Sequence, residues 1–163
     1  MTPRPLVVAD LPGLLAVQRA CYGDGFIESA EVYARRLASA ANCSLVIAQD
    51  GQVLAYAAAY HSLLGKVTPL HGDFEPPPAP DTLYLHDMAV HPAHAGRGLA
   101  RALLAALRAS ARGLRHRALV SVQGSQAYWQ RQGYAIHLLL DPRQQQRLAG
   151  YGKGAVYMAQ SIQ

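Results

Sequence analysis

Apolar residues recur along this chain with a period that changes several times. Leu6 to Ala9 is a short apolar run that predicts a strand. Leu11, Leu14, Leu15 and Val17 then line one side of a helix expected from Asp10 to about Tyr22. Asp10 serves as its N-cap and Pro12 falls in its first turn. Gly23-Asp24-Gly25 breaks the pattern, and Ser29 caps a second helix to Ala40 with Val32, Tyr33 and Leu37 inward. The period then shortens to two. Ser44 to Gln49 and Gln52 to His61 predict strands joined at Asp50-Gly51, a strong hairpin signal.

Between Ser62 and Asp81 no period holds, and Pro76-Pro77-Pro78 and Pro80 keep the segment irregular. A loop that long inside a compact domain is usually functional or disordered. Thr82 to Val90 predicts the next strand, ended by Pro92, and a helix follows to about Arg112, stopped by Gly113. Ala118 to Val122 predicts a strand, Ser125 to Gln132 a short helix, and Tyr134 to Leu140 and Ala155 to Ile162 the last two strands. No internal repeat or linker interrupts this order, so a single mixed α/β domain spanning 1–163 is expected.

Composition narrows the class. With 51% hydrophobic and 15% charged residues the chain is globular in type, not disordered. Met1-Thr2-Pro3-Arg4 does not open a signal peptide, and the longest mainly apolar run, Val53 to Tyr60, is too short to span a bilayer. Cys21 and Cys43 lack metal spacing or a disulfide framework. A reduced, cytoplasmic protein with no membrane partner is the simplest expectation.

The net charge of +5 matters mainly through its placement. No Asp or Glu occurs from Met88 to Leu140, whereas Arg97, Arg101, Arg108, Arg112, Arg115, Arg117 and Arg131 all do. Such a segment suits a phosphate-bearing partner, a nucleic acid or a cofactor. Arg101, Arg108, Arg112 and Arg115 follow helical spacing opposite Leu103 and Leu107, so most are expected to form a solvated face. Arg97 and Arg101 flank a glycine turn and are the better phosphate candidates.

That turn, Ala95-Gly96-Arg97-Gly98-Leu99-Ala100, opens the third long helix. Helix N-termini bind anions through unsatisfied N–H groups, and glycine lets the backbone approach closely. A Walker A loop would need Gly-Lys followed by Ser or Thr, which is absent. A dinucleotide fingerprint would need Gly or Ala where Arg101 stands, and an acidic residue downstream that this region lacks.

The turn resembles motif A of the GNAT N-acyltransferase superfamily, whose loop reads Arg/Gln-x-x-Gly-x-Gly/Ala. Gly98 and Ala100 match that pattern, and Ala95 departs from it. LYLHDMAVHP, residues 83 to 92, is similar to the family's central strand. SQAYWQRQGY, residues 125 to 134, resembles its second cofactor segment, and YGKGAVYMAQSI, residues 151 to 162, its last strand. The resemblance implies a central, mostly antiparallel sheet of six to seven strands with a splayed parallel pair, flanked by about four helices. It implies acetyl-CoA as co-substrate. Met88, Ala89 and Val90 would pair with pantetheine, and Ala95, Gly96, Arg97, Gly98, Leu99, Ala100 and Arg101 would hold the pyrophosphate. The implied reaction is N-acetyl transfer to a primary amine of a small-molecule or peptide acceptor by direct attack.

Direct attack needs a free amine lone pair, and a lysine-like amine costs roughly 4 to 5 kcal/mol to deprotonate at neutral pH. His86 is the leading base, since its titration range suits the task. Strand alternation puts it on the face of Tyr84 and Met88, and Asp87 on the other unless a bulge re-aims it. Tyr84-Leu85-His86 also resembles the paired-histidine strand of serotonin N-acetyltransferases, with Tyr84 in place of the first histidine. A packed strand histidine is the alternative. The family's general acid is a tyrosine, and here Trp129 holds that position with Tyr128 beside it. Either Tyr128 or another group then substitutes, or the thiolate departs without an acid; Trp129 packs in the core, which is compatible with stacking against the pantetheine.

The acidic Asp24, Glu28, Asp73 and Glu75 lie in loops that border the acceptor side in this family. Of these, Glu28, Asp73 and Glu75 are the candidates to meet a cationic amine. His86, His91 and His94 do not make a metal cluster on spacing, so no metal is expected. The sequence leaves a homodimer open. Two rival readings remain: a non-catalytic acyl-CoA-binding or sensing module, motivated by Trp129, and a nucleic-acid-binding domain. The second needs aromatic groups beside the arginines. Tyr128, Trp129 and Tyr134 are the only ones there and belong to the cofactor segment, so no nucleic-acid partner is expected.

Overall fold

Asp50 (φ 52°) and Gly51 (φ 77°) both take left-handed backbone. A tight hairpin needs that geometry, and it joins β2 (Leu45–Gln49) to β3 (Gln52–Ser62). In the computed structural model, which describes residues 1–162, that hairpin sits near one side of a seven-stranded sheet. Its other strands are β1 (Arg4–Pro5), β4 (Thr82–Val90), β5 (His116–Ser121), β6 (Ala135–Ile136) and β7 (Val156–Ser161). The spatial order is β1-β2-β3-β4-β5-β7-β6. Every pair is antiparallel except β4–β5, which is parallel. This is the sheet the sequence led us to expect.

Among the described residues five α-helices accompany it: α1 (Leu11–Tyr22), α2 (Ala30–Leu37), α3 (Leu99–Ser110), α4 (Gln126–Arg131) and α5 (Pro142–Ala149). One sheet face packs Leu14 and Val17 of α1 and Tyr33 of α2 against Tyr56, Tyr60 and Tyr84. The other packs Leu99, Leu103 and Leu107 of α3 against Ile47, Leu85 and Leu119. Alternation along β3 feeds both layers, so nearly all its side chains are buried. Among the described residues no helix is long and apolar enough to cross a membrane.

Four local expectations are corrected. The expected strand from Leu6 to Ala9 is instead a 3-10 turn at Val8–Asp10 that follows the short β1. The cause is Asp10, which accepts from Val7 N (2.9 Å) and from both Arg4 guanidinium nitrogens (2.8 Å each). Asp10 thus faces back along the chain and its side chain does not cap α1. The expected strand from Tyr134 to Leu140 shrinks to Ala135–Ile136, after which Leu138 and Leu140 lie exposed. The second helix stops at Leu37, short of Ala40. Helix α5 was not anticipated, although Asp141, which accepts from Arg143 N (2.8 Å), and Pro142 are an ordinary cap and first-turn pair.

Candidate active site

The parallel pair parts where the site lies. Thr82 to Leu85 register with His116 to Leu119; beyond them β4 runs on to Val90, while β5 ends at Ser121. The gap is a cleft of about 370 Å3 walled by Leu85, Met88, Ala100, Val120, Tyr128 and Trp129. A smaller recess of about 40 Å3 opens beside it, sharing Tyr22, His86, Asp87, Val120 and Val122 with the cleft.

A β-bulge sets which side chains face which way. On β3, Ala58 pairs with Asp87 and Ala59 with Leu85, so His86 is the extra residue. His86 and Asp87 consequently both face the α1–α2 layer, where their partners lie. Met88 joins Leu83, Leu85 and Val90 on the α3 side. Simple alternation put His86 with Met88 and Asp87 opposite; the bulge reverses both relationships while keeping His86 with Tyr84.

His86 is held by a buried carboxylate that is itself paired with an arginine. Its Nε2 lies 3.0 and 3.1 Å from the two Glu28 carboxylate oxygens. Arg36 donates to the same two oxygens at 2.8 and 2.5 Å, and the His71 amide donates to Oε2 at 2.8 Å. Glu28, Arg36 and His86 side chains are each at most 2% exposed. Burial alone would raise the Glu28 carboxyl, but its contacts with His86 and the Arg36 guanidinium outweigh it and hold it well below the usual range. The ionised carboxylate only accepts, so Nε2 carries a proton. The buried Nδ1 has no hydrogen-bond partner among the described residues. Arg36 is further sandwiched 5.1 and 4.9 Å from the Tyr33 and Phe74 ring centroids.

Asp87 is enclosed by phenols. Tyr22 donates to its Oδ1 (2.8 Å), and Tyr33 (3.1 Å) and Tyr56 donate to Oδ2. Burial, followed by the Asp87 charge, pushes all three phenols well above their ordinary range, so they stay protonated. Tyr22 also reaches Met88 O at 3.2 Å.

At the other end of the cleft, Gly96 and Gly98 both have φ of 78°, and Gly98 is the N-cap of α3. A Cβ at either would meet nothing within 4 Å, so it is the backbone angle that calls for glycine. Among the described residues no acceptor takes the amides of Gly96, Arg97 or Gly98, and the first α3 amides are free as in any helix. Arg97 and Arg101 are exposed; an Arg97 guanidinium nitrogen lies 2.8 Å from His94 Nδ1.

The residues singled out from sequence are therefore only partly assembled. His86, Met88, Ala100, Tyr128 and Trp129 wall one cleft. Tyr84 is 1% exposed, packed edge-on to Tyr60, and lines neither cavity. Asp73 and Glu75 are exposed and face Arg35 (2.9 Å) and Lys66 (3.5 Å) away from the recess. Glu28 does line the recess, but its charge is committed. Sequence reasoning missed Arg36, Tyr22, Phe26 and Tyr151. A signal existed for Arg36 alone, which falls three and four residues after the inward Tyr33 and Val32 and so lies on the apolar side of α2.

The model of the acetyltransferase (GNAT) family matches residues 11–134 of the chain. No curated protein sequence matches it. Among solved structures, the ribosomal-protein-S18-alanine N-acetyltransferase from Escherichia coli aligns at a TM-score of 0.68 and 22% identity, over 99% of this chain and 93% of that one. The GphF GNAT-like decarboxylase in complex with isobutyryl-CoA aligns at 0.75 and 17% over the whole of both chains. The N-acetylglutamate synthase from Neisseria gonorrhoeae, complexed with coenzyme A and N-acetyl-glutamate, aligns at 0.73 and 16%, over 99% of this chain and 35% of that one. At these identities the likeness is one of fold.

Proposed function

Since the chain belongs to the GNAT acetyltransferase family, we propose that it moves an acetyl group from acetyl-CoA to a primary amine of a small-molecule or peptide acceptor. The observation that carries this reading is the continuity of the cleft. It runs from Ala100, at the glycine turn, along β4 to His86.

The residues present fit such a co-substrate. The amides from Gly96 to Arg101 would receive the pyrophosphate, helped by the α3 dipole and by Arg97 and Arg101. Beyond Leu85 the β4 backbone has lost its β5 neighbour, so Met88 to Val90 offer a strand edge to the pantetheine arm. Trp129 and Tyr128, ring centroids 4.9 Å apart, form the opposite wall. Bound acetyl-CoA supplies the acetyl group as a thioester.

His86 does the acid–base work on the acceptor. Its Nδ1 takes a proton from the attacking amine, directly or through water, while Glu28 holds Nε2–H and balances the imidazolium charge. A carbon–nitrogen bond forms, the carbon–sulfur bond breaks, and the thiolate leaves with the electron pair. Tyr128 is the phenol available to protonate it, because the Tyr22 hydroxyl is committed to Asp87. Departure as free thiolate is also open, a thiol pKa being about 8.5.

Isothermal titration with acetyl-CoA, beside Gly98→Glu, tests this. The expectation is micromolar binding that the substitution abolishes, followed by thiol release with an amine. Absence of binding would overturn the reading. Binding without turnover on any amine would favour a non-catalytic acyl-CoA-binding module, to which Trp129 in the usual tyrosine position lends support.

A further inference from the structure

The recess beyond His86 bears on the acceptor, through what its walls leave unpaired. It is lined by Phe26, Leu70, Val120, Val122 and the rings of Tyr22 and Tyr151, with Glu28, His86 and Asp87 as its polar members. Each carboxylate there already has its donors. Glu28 is paired with Arg36 and shared with His86 and the His71 amide; Asp87 accepts from three phenols. Tyr22 and Tyr151 donate to Asp87 and to Thr68 O. Of the recess side chains, His86 alone keeps a buried nitrogen without a partner.

An acceptor carrying a second ammonium would find no carboxylate without donors already in place, and one carrying a carboxylate would find no free guanidinium. Either group would give up its hydration for incomplete hydrogen bonding, which is more costly than burying methylene groups. Phe26, which sits at φ 59°, a conformation bulky side chains rarely take, belongs to the aromatic wall of the recess. It is stacked on Tyr151 at 6.4 Å and set edge-on to Tyr22 at 6.4 Å.

We propose that the acceptor is a primary amine borne on an uncharged, apolar group, seated against Phe26, Leu70, Val120 and Tyr151. This rests on the acyl-transfer reading, and the test separates the two. Three amines of equal carbon count differ only at the far end: n-butylamine, 1,4-diaminobutane and 4-aminobutyrate. With the full chain and saturating acetyl-CoA, n-butylamine should exceed both others in kcat/KM by about tenfold or more. Phe26→Ala should raise its KM by about tenfold, the range of one or two lost apolar contacts, without changing acetyl-CoA affinity. Leu70→Glu should move the preference towards 1,4-diaminobutane.

Equal or better use of either charged amine overturns the inference, as does a Phe26→Ala protein with unchanged KM. If none of the three is turned over, titration of n-butylamine into the CoA-loaded protein decides. Binding that Phe26→Ala or Leu70→Glu weakens keeps the recess as an apolar-amine site and overturns the transfer reading alone. Absence of binding overturns the inference.

Discussion

The Tyr22 hydroxyl lies 2.8 Å from Asp87 Oδ1 and 3.2 Å from Met88 O, so the end of α1 is tied to β4 just past its extra residue. Tyr33 from α2 and Tyr56 from β3 close on the same carboxylate. Three elements thus converge on the bulge that orients His86.

Asp87→Ala should leave three phenols without their acceptor. A buried group left unsatisfied costs about 1–3 kcal/mol, so a loss of about 3 kcal/mol or more is expected in urea unfolding. Asp87→Asn keeps one acceptor oxygen and should lose about 1 kcal/mol. Retained stability in Asp87→Ala would mean that the bulge holds without the phenols.

Arg36→Met should strand Glu28 in the core beside His86 and destabilise the fold by about 3–5 kcal/mol. The double variant Arg36→Met with Glu28→Leu should recover most of that, because no uncompensated buried charge remains. Denaturant midpoints of the three proteins measure the difference.

His86→Gln should lower kcat by about a hundredfold, the usual worth of a positioned base, and leave the acetyl-CoA dissociation constant unchanged. Single-turnover kinetics beside calorimetry give both quantities. An unchanged kcat would pass the base role to water or to another group.

Burial pushes Tyr134 and Tyr157 up to about 12 from the ordinary 10. A folded value above the unfolded one means stability is full below pH 10 and is lost as pH rises towards 12. Phenolate absorbance should therefore appear for these rings together with loss of near-ultraviolet circular dichroism. Tyr157→Phe should make stability fall less steeply over that interval.

The elements that sequence made legible are those governed by local chemistry. Asp50-Gly51 carries its own turn preference, and α3 announces itself through Leu99, Leu103 and Leu107 after the glycines. The expected seven-strand limit and parallel pair followed from the family resemblance, not from periodicity. The bulge was not legible, because Tyr84 to Val90 alternates plausibly in either register and only the pairing with β3 decides. The convergence of Tyr22, Tyr33 and Tyr56 on Asp87 joins residues up to 65 positions apart, a relationship no local pattern encodes. Asp10 misled for the opposite reason: a good cap residue found a stronger partner in Arg4.

The extra residue in β4 also gives that strand a parity. Thr82 to Leu85 and Met88 to Val90 are each in step with β3, but out of step with one another by one residue. Exchanging any side chain there alters one wall contact. Pairing His86 with β3 in regular register, with no bulge, would send every side chain on one side of it through the sheet. Met88 would then trade places with Ala89, or Tyr84 with Leu85, and the cleft and the core would exchange their linings. The spacing between Leu85 and Met88 is therefore as much a component of this site as any group that lines it.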